Sequence, residues 1–207
     1  MSDYEAARER LVSQLDSRGR IERDSTRAVL LSVPRHKFVP DGKQKNAYDD
    51  RPLPIGEGQT ISAPHMVAIM TDLLALESGD SVLEIGTGCG YHAAVTAEIT
   101  GEVKSVEYHE PLAETARERL SRLSYAVEVR AGNGHEGWPD HAPYDAAYLT
   151  CAAREIPDAI TEQVRPGGRI VAPIGTHRQT LVRATRRADG GLDRERHGGV
   201  RFVPMQG

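Results

Sequence analysis

This chain of 207 residues predicts an α/β fold, a mainly parallel sheet with helices on both faces. Three observations carry that expectation. Ser81 to Tyr91, S-V-L-E-I-G-T-G-C-G-Y, reads as a buried strand running into a glycine-rich turn that opens a helix. Val103-Lys104-Ser105-Val106-Glu107 reads as a second strand ending in a carboxylate, about 20 residues downstream, where an acid meets ribose hydroxyls. From residue 81 onward strands alternate with helical segments, which implies right-handed crossovers between parallel strands.

The elements follow in order. Ala7, Leu11 and Leu15 recur at helical spacing in a charged background, so residues 3 to 18 form an amphipathic helix packed on something larger. Asp24 or Ser25 is placed to cap a second helix that stops before Pro34. Residues 35 to 60, rich in Pro, Gly, Asp and Lys, hold no sustained periodicity, and so long a loop in a compact domain is expected to bind something. Ser62-Ala63-Pro64 looks like a helix start, with Met66, Ile69, Met70, Leu73 and Leu74 as the apolar face. Then come strand 81–85, a helix from 91, strand 102–107, helix 110–122, strands 126–131 and 144–149, helix 155–164 and strand 169–173. Two late strands, 179–185 and 199–203, read as an antiparallel pair joined by A-D-G-G. The length suits one domain, 1–207, with helices and a loop over 1–60 and the α/β core over 61–207.

Composition narrows the function. With 26 Lys plus Arg against 30 Asp plus Glu, the net charge is -4, so no basic field calls for a nucleic-acid partner. Two cysteines are too few for a disulfide framework. No apolar signal core opens the chain and no run reaches membrane-span length, so a cytoplasmic protein without a membrane partner is the expectation. A monomer is the default expectation, though no residue pattern sets the oligomeric state.

The glycine spacing also bears on the ligand. Dinucleotide-binding turns read G-x-G-x-x-G, the third glycine letting the helix pack closely. Here that place is held by Tyr91 and Gly90 comes one residue early, giving G-x-G-x-G, the pattern of S-adenosylmethionine methyltransferases. Glu107 would then grip the ribose, and Glu84 would face the ammonium of the methionine part. A nicotinamide enzyme and a bare strand-to-helix turn both stay open on these residues alone. Cys89 and His92 have C-x-x-H spacing, but no second ligand pair supports a metal.

Four blocks in order carry a resemblance: A-Y-D-D-R-P-L-P-I-G-E-G-Q-T-I-S-A-P-H-M, V-L-E-I-G-T-G-C-G-Y, A-P-Y-D-A-A-Y-L-T-C-A-A and R-P-G-G-R-I-V-A-P-I-G. The chain resembles the protein-L-isoaspartate O-methyltransferases, from F-V-P at 38–40 to the closing R-F-V-P-M. What the resemblance implies is a Rossmann-like class I methyltransferase fold, a mainly parallel seven-stranded sheet with N-terminal helices packed beside it. The implied reaction is methyl transfer from S-adenosyl-L-methionine to the α-carboxylate of L-isoaspartyl residues in damaged proteins and peptides, leaving S-adenosyl-L-homocysteine. The methyl ester then closes to a succinimide, whose hydrolysis returns some normal aspartate.

The resemblance also assigns residues. Ser62 matches the family's active-site serine, with Thr60 in the same block, although Ser before Ala-Pro also reads as a helix cap. Ile61, His65, Glu84, Gly86, Thr87, Gly88, Glu107, Asn133 and Gly134 fall where the family holds its cofactor. Asn133 departs from the pattern, because the family has G-D-G there, yet an Asn side-chain oxygen still accepts a hydrogen bond from the adenine amino group. Two rivals remain: a methyltransferase for another carboxylate, and a cofactor-binding adaptor without turnover, against which Thr60, Ser62, Glu84 and Glu107 argue.

Overall fold

The structure, a computed structural model, describes residues 3–207; Met1 and Ser2, part of the 1–60 segment, lie outside them. Helix α1 (Asp3–Ser17) buries Leu11, Val12 and Leu15, the stripe that its spacing predicts. Helix α2 (Asp24–Ser32) starts at Asp24, but its cap position is Arg23 and no side chain caps it, so neither Asp24 nor Ser25 plays the capping part.

The segment 35–60 is more ordered than its composition suggests. It makes two short 3-10 turns, 35–37 and 44–46, and then a hairpin of β1 (Leu53–Gly56) and β2 (Gln59–Ile61). Glu57 and Gly58 both take positive φ at the tip, as tight hairpin turns require. Arg35 is fully buried: its Nε donates to the Ala47 carbonyl at 2.8 Å and its guanidinium lies 5.0 Å from the ring centroid of Tyr91.

Helix α3 (Pro64–Leu74) follows, with Pro64 in its first turn and Ala63 as cap residue without a side-chain bond, so Ser62 does not cap it. The core elements are β3 (Val82–Ile85), α4 (Tyr91–Thr100), β4 (Val103–Glu107), α5 (Glu110–Arg122), β5 (Val127–Ala131), β6 (Tyr144–Leu149), α6 (Asp158–Gln163), β7 (Val164–Ile174), β8 (Gln179–Arg186) and β9 (Leu192–Val200). Their sheet has seven strands in the order β5-β4-β3-β6-β7-β8-β9, parallel from β5 to β7 and antiparallel through β8 and β9. Three elements differ from expectation. Helix α6 is shorter, β7 starts five residues earlier and absorbs R-P-G-G across a register shift, and β9 spans 192–200 rather than 199–203.

The two-residue period of the sheet sorts its side chains. Val82 packs with Val103, Ala146, Tyr148 and the α3 residues Met70 and Leu74 on one face, while Leu83 and Ile85 pack with Val106, Ala147, Leu149 and Ile160 of α6 on the other. The N-terminal helices join a third cluster with Tyr91, Ala94 and Val95 of α4 and Ala113, Ala116 and Leu120 of α5. Among the described residues no helix is long and apolar enough to cross a membrane.

Candidate active site

From β3 the chain runs outward through β4 and β5, then crosses back to β6 on the other side of β3. The reversal leaves a crevice at the carboxyl ends of these strands, where open α/β sheets take their ligands. A pocket lies there. Its walls are the turn Gly86–Cys89 after β3, Glu107–His109 after β4, Thr150 and Cys151 after β6, residues 59–62 of the hairpin, and the tail residues 203–206.

Gly86 has φ 94, and a Cβ there would run into Thr150 Oγ1, whose hydroxyl donates to the Gly86 carbonyl. Gly90, at φ 86, caps α4 where a Cβ would press on the Leu120 side chain. Glu107 ties this turn to β4: its Oε2 accepts the Gly88 N–H at 2.8 Å and its Oε1 accepts the His109 N–H at 3.0 Å. The carboxylate is therefore held in place at the strand end with lone pairs to spare. Tyr108 beside it is half exposed, at 50%, and lines the same pocket. On the far side the hairpin leans over the turn, and Gln59 Nε2 meets His109 Nε2 at 3.4 Å.

Glu84 is completely buried, one residue before the strand end. Strand register explains its partners. Ser105 on β4 and Tyr148 on β6 are its direct neighbours in the two parallel pairings and share its face. Ser105 Oγ donates to Glu84 Oε2 and the Tyr148 hydroxyl donates to Oε1 at 2.9 Å. Since Ser105 spends its proton on Glu84, Thr87 Oγ1 is the donor to Ser105, while Thr96 donates to Tyr148 at 3.0 Å. Burial, with the Glu107 charge nearby as a lesser cause, pushes the Glu84 carboxyl up to about 8 despite these donors. His92, packed on the Tyr148 ring at 4.5 Å between centroids, is pushed down to about 3 by burial and stays neutral, its Nε2 3.3 Å from Thr71 Oγ1.

A second, broader cavity of about 1120 Å³ adjoins this pocket and shares Thr60, Ser62, Thr150, Val203 and Pro204 with it. Thr60 and Ser62 thus stand on the boundary between the two spaces. Neither hydroxyl is bonded to another described residue.

Of the residues expected around a cofactor, Ile61, Glu84, Gly86, Thr87, Gly88, Glu107 and Gly134 line the first pocket, together with Thr60 and Ser62. Two do not. His65 belongs to the second cavity, where Asp50 Oδ1 holds it twice, accepting from the backbone N–H at 2.9 Å and meeting Nδ1 at 2.8 Å. On this helix Val67, not His65, reaches the first pocket. Asn133 Oδ1 accepts the His135 N–H at 3.0 Å, capping the short turn 134–136, and the side chain is absent from the pocket wall.

The sequence reading missed Tyr108, Thr150, Val67 and the tail. Tyr108 had a readable signal, an aromatic directly after the strand-end acid. The tail had none, since it is placed by backbone bonds: the Ala152 N–H donates to the Val203 carbonyl and the Met205 N–H to the Ala152 carbonyl, both at 2.8 Å.

Comparison with known proteins gives the family and the fold. The family model described as Protein-L-isoaspartate(D-aspartate) O-methyltransferase (PCMT) matches residues 6–207. Protein-L-isoaspartate O-methyltransferase 2 of Archaeoglobus fulgidus is 51% identical, covering 99% of this chain and 95% of its own. The Methanopyrus kandleri protein-L-isoaspartate O-methyltransferase is 48% identical over 99% of this chain and 93% of its own. A solved protein-L-isoaspartate O-methyltransferase superposes with a TM-score of 0.89 at 31% identity, over 97% of this chain and 66% of that one. A Plasmodium falciparum structure, described as a putative protein-L-isoaspartate O-methyltransferase in complex with S-adenosyl-L-homocysteine, shares the fold at 23% identity, with a TM-score of 0.85 over 100% of this chain and 99% of that one. With the strand-end acid, the glycine turn and the hairpin block converging on one crevice, and with relatives that match from end to end, the chain belongs to the protein-L-isoaspartate(D-aspartate) O-methyltransferase family.

Proposed function

We propose that this protein transfers a methyl group from S-adenosylmethionine to the α-carboxylate of L-isoaspartyl residues in damaged proteins and peptides. The observation that carries the reading is the junction of two spaces at Thr60 and Ser62, a cofactor-type pocket on one side and a broad, open cavity on the other. The residues of the first pocket fit the cofactor. Anchored Glu107 offers acceptors to a ribose, exposed Tyr108 offers a flat apolar face to a purine, and buried Glu84 is a carboxylate where a cation would be welcome.

When bound, S-adenosylmethionine supplies a methyl group on a positively charged sulfur. The attacking group is already an anion at neutral pH, so the protein has no proton to remove. Its work is alignment and exclusion of water. Thr60 and Ser62 donate to the substrate carboxylate and hold one oxygen toward the first pocket. Thr150, also at the boundary, is committed to the Gly86 carbonyl and fixes the turn instead. Hairpin residues 59–62 and tail residues 203–206 cover the pocket and keep solvent from the reacting line. His65 serves the second cavity, and Asn133 holds the turn that presents Gly134.

Radiolabelled methyl transfer to paired peptides, identical except for Asp or isoaspartate at one site, tests the reading. Label on the isoaspartyl peptide alone is expected; label on both, or on neither, overturns it.

A further inference from the structure

The broad cavity has an unusual charge for a chain of net charge -4. Its walls include Arg178, Arg201, His65 and His177, and no Asp or Glu. Six other arginines, Arg27, Arg51, Arg165, Arg169, Arg183 and Arg187, each lie within ion-pair distance of a carboxylate. Arg178 and Arg201 have no carboxylate partner among the described residues, and both are exposed.

Strand pairing brings these two together. Gln179 of β8 is the register partner of Val200 of β9, so Arg178, one residue before, and Arg201, one residue after, stand opposite each other where the antiparallel ladder opens. The Gln179 side chain then fixes the chain beyond them, its Nε2 donating to the Phe202 carbonyl at 3.0 Å and its Oε1 accepting the Phe202 N–H at 2.6 Å. The register thereby sets two like charges opposite each other at the rim of the cavity, neither with a carboxylate partner among the described residues. Such a pair repels internally, and a carboxylate set between the two guanidinium groups removes that repulsion and gains two attractions.

We propose that Arg178 and Arg201 make this enzyme selective for isoaspartyl sites flanked by acidic side chains. The inference rests on the methyl-transfer reading above and names the substrate class for the same site. The isoaspartyl carboxylate goes to Thr60 and Ser62, and a second carboxylate, from a neighbouring Glu or Asp of the substrate, goes to the arginine pair. A lysine in that neighbouring position meets repulsion from both.

The test uses the full chain and three isoaspartyl peptides that differ only in flanking residues, Glu, Gln or Lys. At low salt KM is expected to rise in that order, with about tenfold between the Glu and Lys peptides, the size of two surface ion-pair effects summed. In 0.5 M salt the ratio shrinks toward one, because the screening length falls to about 4 Å there. In Arg178→Gln/Arg201→Gln the ratio collapses at low salt as well, and calorimetry with S-adenosylhomocysteine reports that the variant is folded. The salt series needs no variant and stands if the double substitution fails to fold. Methylation of all three peptides with equal KM, or a ratio that survives both salt and substitution, overturns the proposal and leaves the reaction standing. Absence of methylation on every peptide overturns the reaction itself.

Discussion

Replacing Glu84 by Gln removes a buried charge site while keeping one acceptor for the Ser105 and Tyr148 donors. With the carboxyl pushed up to about 8 in the folded protein against 4.5 in an open chain, the folded state binds more protons than the unfolded one between those values. The contribution of Glu84 to stability is therefore fully present below about pH 4.5 and is lost as pH rises to about 8; up to about pH 6.5 it is opposed by His92, which burial holds neutral in the folded protein. The full span is at most about 5 kcal/mol, at 1.36 kcal/mol per pH unit. Ligand binding inherits the same proton. At pH 7 burial favours the protonated Glu84 carboxyl, and a cofactor carrying sulfonium and ammonium charges favours the carboxylate, so its binding releases protons. S-adenosylhomocysteine, without the sulfonium charge, expels fewer. Titration calorimetry at pH 7 in phosphate and in Tris reads the release as a difference in apparent enthalpy. Glu84→Gln should abolish that difference and remove the fall in thermal stability between about pH 6.5 and 8, where Glu84 titrates and His92 does not. A buffer-independent enthalpy in the wild type, or the same release in Glu84→Gln, would refute the reasoning.

Glu107→Ala should weaken S-adenosylhomocysteine about a hundredfold or more, because a charged acceptor is lost to the ribose while the Gly88 and His109 donors lose their anchor; an unchanged calorimetric affinity would remove Glu107 from the site. Ser62→Ala should lower kcat about tenfold or more while cofactor affinity stays within a few-fold, and since Ser62 caps no helix its melting temperature should hold. Asn133-Gly134 is a pairing prone to succinimide closure, yet the Asn133 side chain is bound to His135 and Gly134 is buried against Ile85. Peptide mapping after prolonged mildly alkaline incubation should find Asn133 intact in the folded protein and converted in a matching free peptide.

The parts legible in the sequence were those set by local pattern. The apolar run Val82 to Ile85, the glycine turn and the acid at the end of the next strand needed only the chain's own spacing to be read. The β1–β2 hairpin was hidden because its strands are four and three residues long and begin among prolines. Strand β9 was misplaced because L-D-R-E-R-H-G-G-V is an exposed edge with polar residues along most of its length, leaving no apolar alternation to mark it. His65 and Val67 lie two apart on one helix, and only the helix's seat on the sheet decides which reaches the pocket. Asn133 is drawn to a local backbone N–H, a competition that residue identity alone does not resolve. The arginine pair at 178 and 201 depends wholly on strand register.

Arg35 gives the N-terminal helices a hold over heat tolerance. Its guanidinium keeps its charge out of water only while the segment around Ala47 and the ring of Tyr91 close over it, and Tyr91 is also the residue that begins α4 at the rim of the first pocket. On warming, the segment that covers Arg35 is expected to open ahead of the seven-stranded sheet and let water reach the arginine. Once hydrated, Arg35 has no reason to return beneath Tyr91 until the whole segment refolds. The pocket then slackens while the sheet is still intact. Heat inactivation should therefore run ahead of the loss of strand signal, with the gap closing when bound cofactor fastens the turn from the other side.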